Sequence, residues 1–204
     1  MPVEMLADTG PVTLVLASSS PRRRDLLARI GVVPARIAAP AIDETPHVGE
    51  VPRDYALRLA TEKAQAVTRG SHEIVIAGDT TIAVGRRILP PADTVDVQRR
   101  LLALLSGRRH HALSALCVID RAGTVRAKIA DTIVAFKPLT AAEIDAYVGC
   151  GEGLGKAGGY AIQGRAEAFV RFLSGSHSGV VGLPLYEARA MLMTAGYPVD
   201  APLG

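Results

Sequence analysis

VTLVLASSSPRRRDLL, residues 12–27, is the stretch on which the fold turns. Its first six residues form an apolar run short enough for a buried strand. Three serines follow, then Pro21, whose ring holds φ at a helical value, with Ser20 ahead of it as a hydroxyl able to cap free amides. Leu26, Leu27 and Ile30 continue at helical spacing, and Gly31 ends a helix predicted over 21–30. Strand, tight turn and helix read as the opening of an α/β layer. The same stretch sets a puzzle. Arg22, Arg23 and Arg24 fall in the first helical turn, where the macrodipole favours negative charge. Three cations make sense there when a multiply charged anion docks, because free amides and arginine forks then serve one ligand. The plainer alternative is a solvated, arginine-rich helix end.

Outward from this unit the pattern continues. Residues 34–42 alternate weakly. Ala56, Leu59, Ala60, Ala64 and Val67 give helical spacing over 53–68, and 74–77 is a second buried-strand signal closed by Gly78-Asp79. Asp93 or Thr94 caps a helix carrying Val95, Leu101, Leu102 and Leu105, which stops at Ser106-Gly107. Residues 110–119 and 124–136 read as strands around a hairpin turn at 120–123. Thr140 and Glu143 form a capping box that opens a helix to Val148. A glycine-rich stretch, 149–164, precedes a last helix over about 184–195. The sum is α/β, with a hairpin that makes the sheet mixed.

A chain of 204 residues, 49% hydrophobic, suits one domain or two closely packed lobes. Aromatic residues are 4% of the chain and Trp is absent, which argues against a row of base-stacking rings. The net charge of +3 is too small and dispersed to mark a nucleic-acid binder. Cys117 and Cys150 form no CxxC motif, so reduced thiols are expected. The N-terminus lacks the basic-then-apolar pattern of a signal peptide, and no run has membrane-spanning length. A soluble cytoplasmic protein without a membrane partner is the expectation.

Three positions stand out chemically. Lys63 falls on the middle of an apolar helical stripe, either snorkelling from its edge or reaching into a cleft. Asp79 would emerge at the C-terminal end of a buried strand, the edge where open α/β sheets bind ligands, although turns also favour Asp. Asp43-Glu44 lies in a loop and could supply a metal-binding carboxylate. Carboxylates and cations in one cleft suit a divalent metal held together with a phosphate chain. Other patterns are decoys. Gly153, Gly155 and Gly158 match GxGxxG but follow a helix, and Ala157 stands where a P-loop needs Ser or Thr. His110 and His111 are adjacent in a strand and face opposite sides. Ser176, His177 and Ser178 are too local for a catalytic triad.

Seven stretches, in this order, resemble the Maf family of nucleoside triphosphate pyrophosphatases: LASSSPRRRDLL (16–27), IDE (42–44), TEKA (61–64), AGDT (77–80), LSGRRH (105–110), GKAGGYAIQG (155–164) and VVGLPLYE (180–187). The resemblance implies a mixed, twisted sheet in two lobes around a deep cleft, like that of inosine triphosphate pyrophosphatases. It implies one domain over 1–204, with ends 1–10 and 198–204 disordered or extended, and allows a homodimer. The implied reaction cleaves a nucleoside triphosphate between its α and β phosphates, with Mg²⁺ or Mn²⁺, on dTTP, UTP or modified nucleotides. Asp79 matches the proton acceptor, Arg22 and Arg23 the phosphate-binding arginines, and Lys63 the cleft lysine. Glu44 matches the acidic residue that, with Asp79, holds metal. Arg22, Thr80 and Gln163 fall at positions that tune base selection, and Ser18 and Lys156 lie in substrate-binding stretches.

The chain departs from the family pattern at several places. Pro91 stands where many members carry a cleft lysine, a loss on the order of 1–3 kcal/mol for one charge-assisted hydrogen bond. His177 stands for Tyr, Gly179 for Asn, Gly153 for a large residue and Ala135 for a frequent Arg. Two other functional classes compete: a nucleotide-binding regulator of cell division with weak or no hydrolysis, favoured by Pro91, and a nucleic-acid-binding module using residues 22–24. Intact Asp79, Glu44 and Lys63 weigh against the first, and scarce aromatics against the second.

Overall fold

The computed structural model describes residues 10–199. The terminal stretches expected to be disordered or extended fall, apart from Gly10 and residues 198–199, outside the described residues.

The opening unit forms as read. Strand β1 (Thr13–Leu16) is almost wholly buried and leads through the serine turn into helix α1 (Pro21–Ala28). Ser20 occupies the N-cap position, but its side chain makes no capping bond. Ser18 Oγ instead accepts from the Ser20 amide at 3.2 Å, so the hydroxyl that braces the turn sits two residues earlier than the sequence suggests. Leu26 and Leu27 anchor α1 on the core, each contributing about 1.5–3 kcal/mol by leaving water.

Among the described residues the sheet has seven strands. β2 (Arg36–Ile37) and β3 (Glu73–Val84) flank β1 in parallel; β4 (Arg87–Leu89), β5 (Arg109–Ile119), β6 (Val125–Phe136) and β7 (Val170–Ser174) add antiparallel pairings. Among the described residues six α-helices accompany it, α1, α2 (Pro52–Gln65), α3 (Val95–Leu105), α4 (Ala141–Gly149), α5 (His177–Val181) and α6 (Leu185–Thr194), with a 3₁₀ turn at Arg165–Phe169. Helix α2 packs a stripe of small residues, Ala56, Ala60 and Ala64, onto Val15, Val75, Ala77 and Ala115 on one face of the sheet. The larger core on the other face joins Leu14, Leu16, Leu26, Leu102, Leu105, Phe136, Tyr147 and Leu192. Thr94 and the Thr140–Glu143 capping box start α3 and α4 as expected. At Gly153 a Cβ would lie 2.0 Å from the Gly159 carbonyl oxygen and 2.3 Å from Gln98 Nε2, so the buried Gln98 fills the space a side chain would need.

One strand corrects the sequence reading. Gly78-Asp79 does not close β3; the strand runs on to Val84, and Asp79 lies in its middle. Pairing with β5 holds without a break from Val75↔Ile119 to Ala83↔His111, and this long-range ladder overrides the local turn signal. Gly78 allows the close fit, since a Cβ there would meet the Ala115 carbonyl at 3.2 Å. On its other edge β3 has two partners with a gap between them. β1 pairs with residues 73–76 and β4 with residues 82–84. Residues 77–81 face that gap, and the cleft opens there.

Candidate active site

Asp79 projects into the gap, where its carboxylate is nearly buried. Lys63 Nζ donates to Asp79 Oδ1 at 2.8 Å, and Thr81 Oγ1 donates to Oδ2 at 3.1 Å. Lys63 is itself buried among the apolar residues of α2, so it reaches into the cleft rather than snorkelling from the stripe's edge. The same ammonium lies 2.9 Å from Glu44 Oε1, on the loop that approaches from above. Tyr55 O–H donates to the Glu44 carbonyl at 2.8 Å and pins that loop to α2. One ammonium thus gathers two carboxylates from segments 35 residues apart.

The arginine run divides by direction. Arg24 is exposed and pairs with its neighbour Asp25. Arg22 and Arg23 turn inward onto the C-terminal end of α5. Arg22 Nε donates to the Val181 carbonyl at 3.3 Å, and Arg23 Nε to the Gly182 carbonyl at 2.9 Å. Arg23 Nη1 also donates to Ser18 Oγ at 2.9 Å. Helix α5 therefore orients both forks toward the cleft. It is tied to the sheet in turn, because Ser114 O–H donates to the Gly179 carbonyl at 2.5 Å and lies 3.3 Å from Thr80 Oγ1.

The facing wall is the glycine-rich loop. Residues 90–92 clasp it: the Gly155 amide donates to the Ala92 carbonyl at 2.8 Å, and the Ala92 amide to the Lys156 carbonyl at 3.1 Å. Lys156 and Gln163 project from this loop, and Tyr160 lies beneath it, its hydroxyl 2.8 Å from Nε2 of the fully buried His110. Between the walls is a cavity of about 360 Å³ lined by Ser18, Arg22, Arg23, Glu44, Lys63, Asp79, Thr80, Lys156 and Gln163. All nine residues singled out in the sequence meet in it.

Electrostatically this cavity is poised for an anion. Burial pushes the Arg22 and Arg23 guanidinium groups and the Lys156 ammonium below their ordinary values. Arg22 adds repulsion at both Arg23 and Lys156; at Arg23 the stronger attraction of Asp79 outweighs it, and burial remains the leading cause of the lowering. A polyanion seated in the cavity would offset the cost of burying these cations. A second recess of about 360 Å³ adjoins the first and shares Glu44, Asp79, Thr80, Pro91 and Ala157; its remaining walls are mainly apolar, from Pro46, Tyr55, Ile88 and Leu89. Among the described residues no group of three or more His, Cys, Asp or Glu side chains converges as a metal site would require on its own. Glu44 and Asp79 are, however, hard oxygen donors of the kind that hold Mg²⁺ jointly with phosphate oxygens, and they fit that role.

Sequence reasoning did not find Tyr55, Ser114 or the His110–Tyr160 contact. Each works through a partner outside its own element, 11 residues away for Tyr55, 50 for His110 and 65 for Ser114. Both cysteines are free, and burial raises the Cys117 thiol to about 11.

Residues 13–195 match the family described as Maf-like protein. The chain is 70% identical over 187 residues to a protein of Sphingopyxis alaskensis named dTTP/UTP pyrophosphatase, a match spanning 91% of this chain and 98% of that one. A protein of the same name from Novosphingobium aromaticivorans is 54% identical over 200 residues, spanning 96% of this chain and all of that one. Among solved structures, a nucleoside-triphosphatase/dITP/XTP pyrophosphatase of Mycobacterium abscessus aligns with a TM-score of 0.42 and 20% identity, over 64% of this chain and 77% of that one. No helix among the described residues is long and apolar enough to cross a membrane.

Proposed function

The chain belongs to the Maf-like protein family, and from that premise we propose that it is a nucleoside triphosphate pyrophosphatase acting on dTTP and UTP. It cleaves the α–β phosphoanhydride and releases a nucleoside monophosphate and pyrophosphate. The observation that carries this reading is the convergence of four cations, Arg22, Arg23, Lys63 and Lys156, on one cavity that also holds Asp79 and Glu44. The relatives' shared name supplies the pyrimidine substrates.

Each residue then has a task. Arg22 and Arg23, braced by the α5 carbonyls and Ser18, present N–H donors to phosphate oxygens in bidentate fashion. Lys156 closes on the chain from the opposite wall. Asp79 accepts a proton from the attacking water and aims it in line with the leaving pyrophosphate. Lys63 holds that carboxylate in position through the 2.8 Å hydrogen bond to Oδ1. Thr80 and Gln163, with Arg22, read the base. Glu44 and Asp79 would hold a divalent cation, which supplies charge neutralisation at the phosphates when bound. We assign the activity to one domain over residues 1–204, working in the cytoplasm.

Pyrophosphate release from a panel of nucleoside triphosphates, with Mg²⁺ or Mn²⁺ and with chelator, tests the proposal. Release fastest from dTTP and UTP, and abolished by chelator, is the expected result. Nucleotide binding without release from any triphosphate would overturn it in favour of the cell-division regulator.

A further inference from the structure

At the end of the sheet carrying β7, three strands place Arg109, Ala135 and Phe172 side by side. The registers are Arg109↔Ala135 and Ala135↔Phe172, so the three side chains share one face. The small Ala135 between two long neighbours leaves a dent, and the Arg109 guanidinium reaches across it to lie 5.2 Å from the centre of the Phe172 ring. The ladder then slips: Phe136 pairs with Val170, leaving Arg171 as the extra residue of a bulge. A bulge re-aims its side chain, and Arg171 enters the rim of the same recess. Arg108, the residue before Arg109 and past the turn at Gly107, completes it. The recess measures about 290 Å³, close to the ~300 Å³ at which small-molecule pockets begin.

Its charge is uncompensated. No carboxylate lines the recess, and none of the three arginines forms an ion pair among the described residues, whereas Arg24, Arg36, Arg58, Arg99 and Arg126 all do. Phe172 is 44% exposed on an edge strand, with one guanidinium already placed beside it. Planar forks select phosphate oxygens, and an exposed ring flanked by a guanidinium selects a flat heterocycle. We propose that this recess is a second binding site, separate from the cleft, for a nucleoside monophosphate. The ring of the ligand stacks on Phe172, and Arg108 and Arg171 grip its phosphate.

Equilibrium dialysis with labelled UMP tests the site. Compared with the unmodified chain, Ala135→Leu, which fills the dent without altering charge, and the double variant R109A/R171A should each bind one equivalent fewer. Phe172→Ala should weaken that equivalent at least tenfold, and inorganic phosphate at the same concentration should not displace it. All variants should keep the melting temperature and the triphosphate hydrolysis of the unmodified chain. UMP stoichiometry unchanged in both Ala135→Leu and R109A/R171A overturns the site; displacement by inorganic phosphate as effective as by UMP overturns the nucleotide assignment. Because a lost equivalent is read against the unmodified chain, the count holds whether or not the cleft hydrolyses triphosphates.

Discussion

Lys63 Nζ and Asp79 Oδ1 are 2.8 Å apart, and both side chains are 10% exposed. An ion pair this buried is expensive to break from one side, because the remaining charge keeps its desolvation cost and loses its partner. Lys63→Met should therefore destabilise the protein by about 3 kcal/mol, read as a lower midpoint in urea unfolding. Adding Asp79→Asn to that variant should restore much of the loss, since no unpaired charge is left behind. A double variant no more stable than Lys63→Met would show that the pair is not what holds the two segments together.

The arginine run gives an internal control. Arg23 bonds Gly182 and Ser18 through a rigid fork, whereas Arg24 meets only Asp25 at the surface. Arg23→Lys keeps the charge but cannot reproduce the fork, and should raise KM for dTTP about tenfold or more. Arg24→Ala should change KM less than twofold. Equal effects from the two substitutions would mean that the run acts only as diffuse charge.

Pro91 lines the cleft and shares a wall with Lys156. Pro91→Lys adds an ammonium within reach of the phosphate chain, and one charge-assisted hydrogen bond is worth about 1.5–3 kcal/mol. Steady-state kinetics should show KM for dTTP falling roughly tenfold, with little change in melting temperature. An unchanged KM would place the phosphates away from residue 91.

His110 links stability to pH. Burial pushes its imidazole down from 6.5 to about 4. The unfolded chain takes up a proton below pH 6.5 that the folded protein accepts only near pH 4, so the group's contribution is whole above pH 6.5 and is lost as the pH falls toward 4. The full loss is about 3 kcal/mol. Thermal melts at pH 7 and pH 5 should differ by about 5 °C more in the unmodified protein than in His110→Gln. Parallel melting curves for the two would contradict a neutral, buried His110.

Much of this architecture is legible locally. The strand–serine turn–helix unit, the hairpin at 120–123 and the Thr140–Glu143 capping box each carry their signal within a few residues, and each forms. Lys63 was conspicuous because a charge interrupts an apolar stripe. The continuation of β3 through Gly78-Asp79 was not legible, because β5 imposes it from more than 30 residues away. β7 and α5, five residues each, are too short to show a period, yet α5 supplies the carbonyls that aim Arg22 and Arg23. Arg22, Arg23, Lys63 and Asp79, which line the cavity, carry local signals; the scaffolding that orients them does not.

The central claim is that Asp79 activates the attacking water while the arginines and lysines hold the triphosphate. Asp79→Asn tests it most directly, with dTTP affinity and the rate of pyrophosphate release measured on the same preparation. The account predicts a rate lowered by about 10²–10⁴-fold with affinity changed only a few-fold. Release within a few-fold of the unmodified rate would contradict it and move the proton acceptor elsewhere in the cleft.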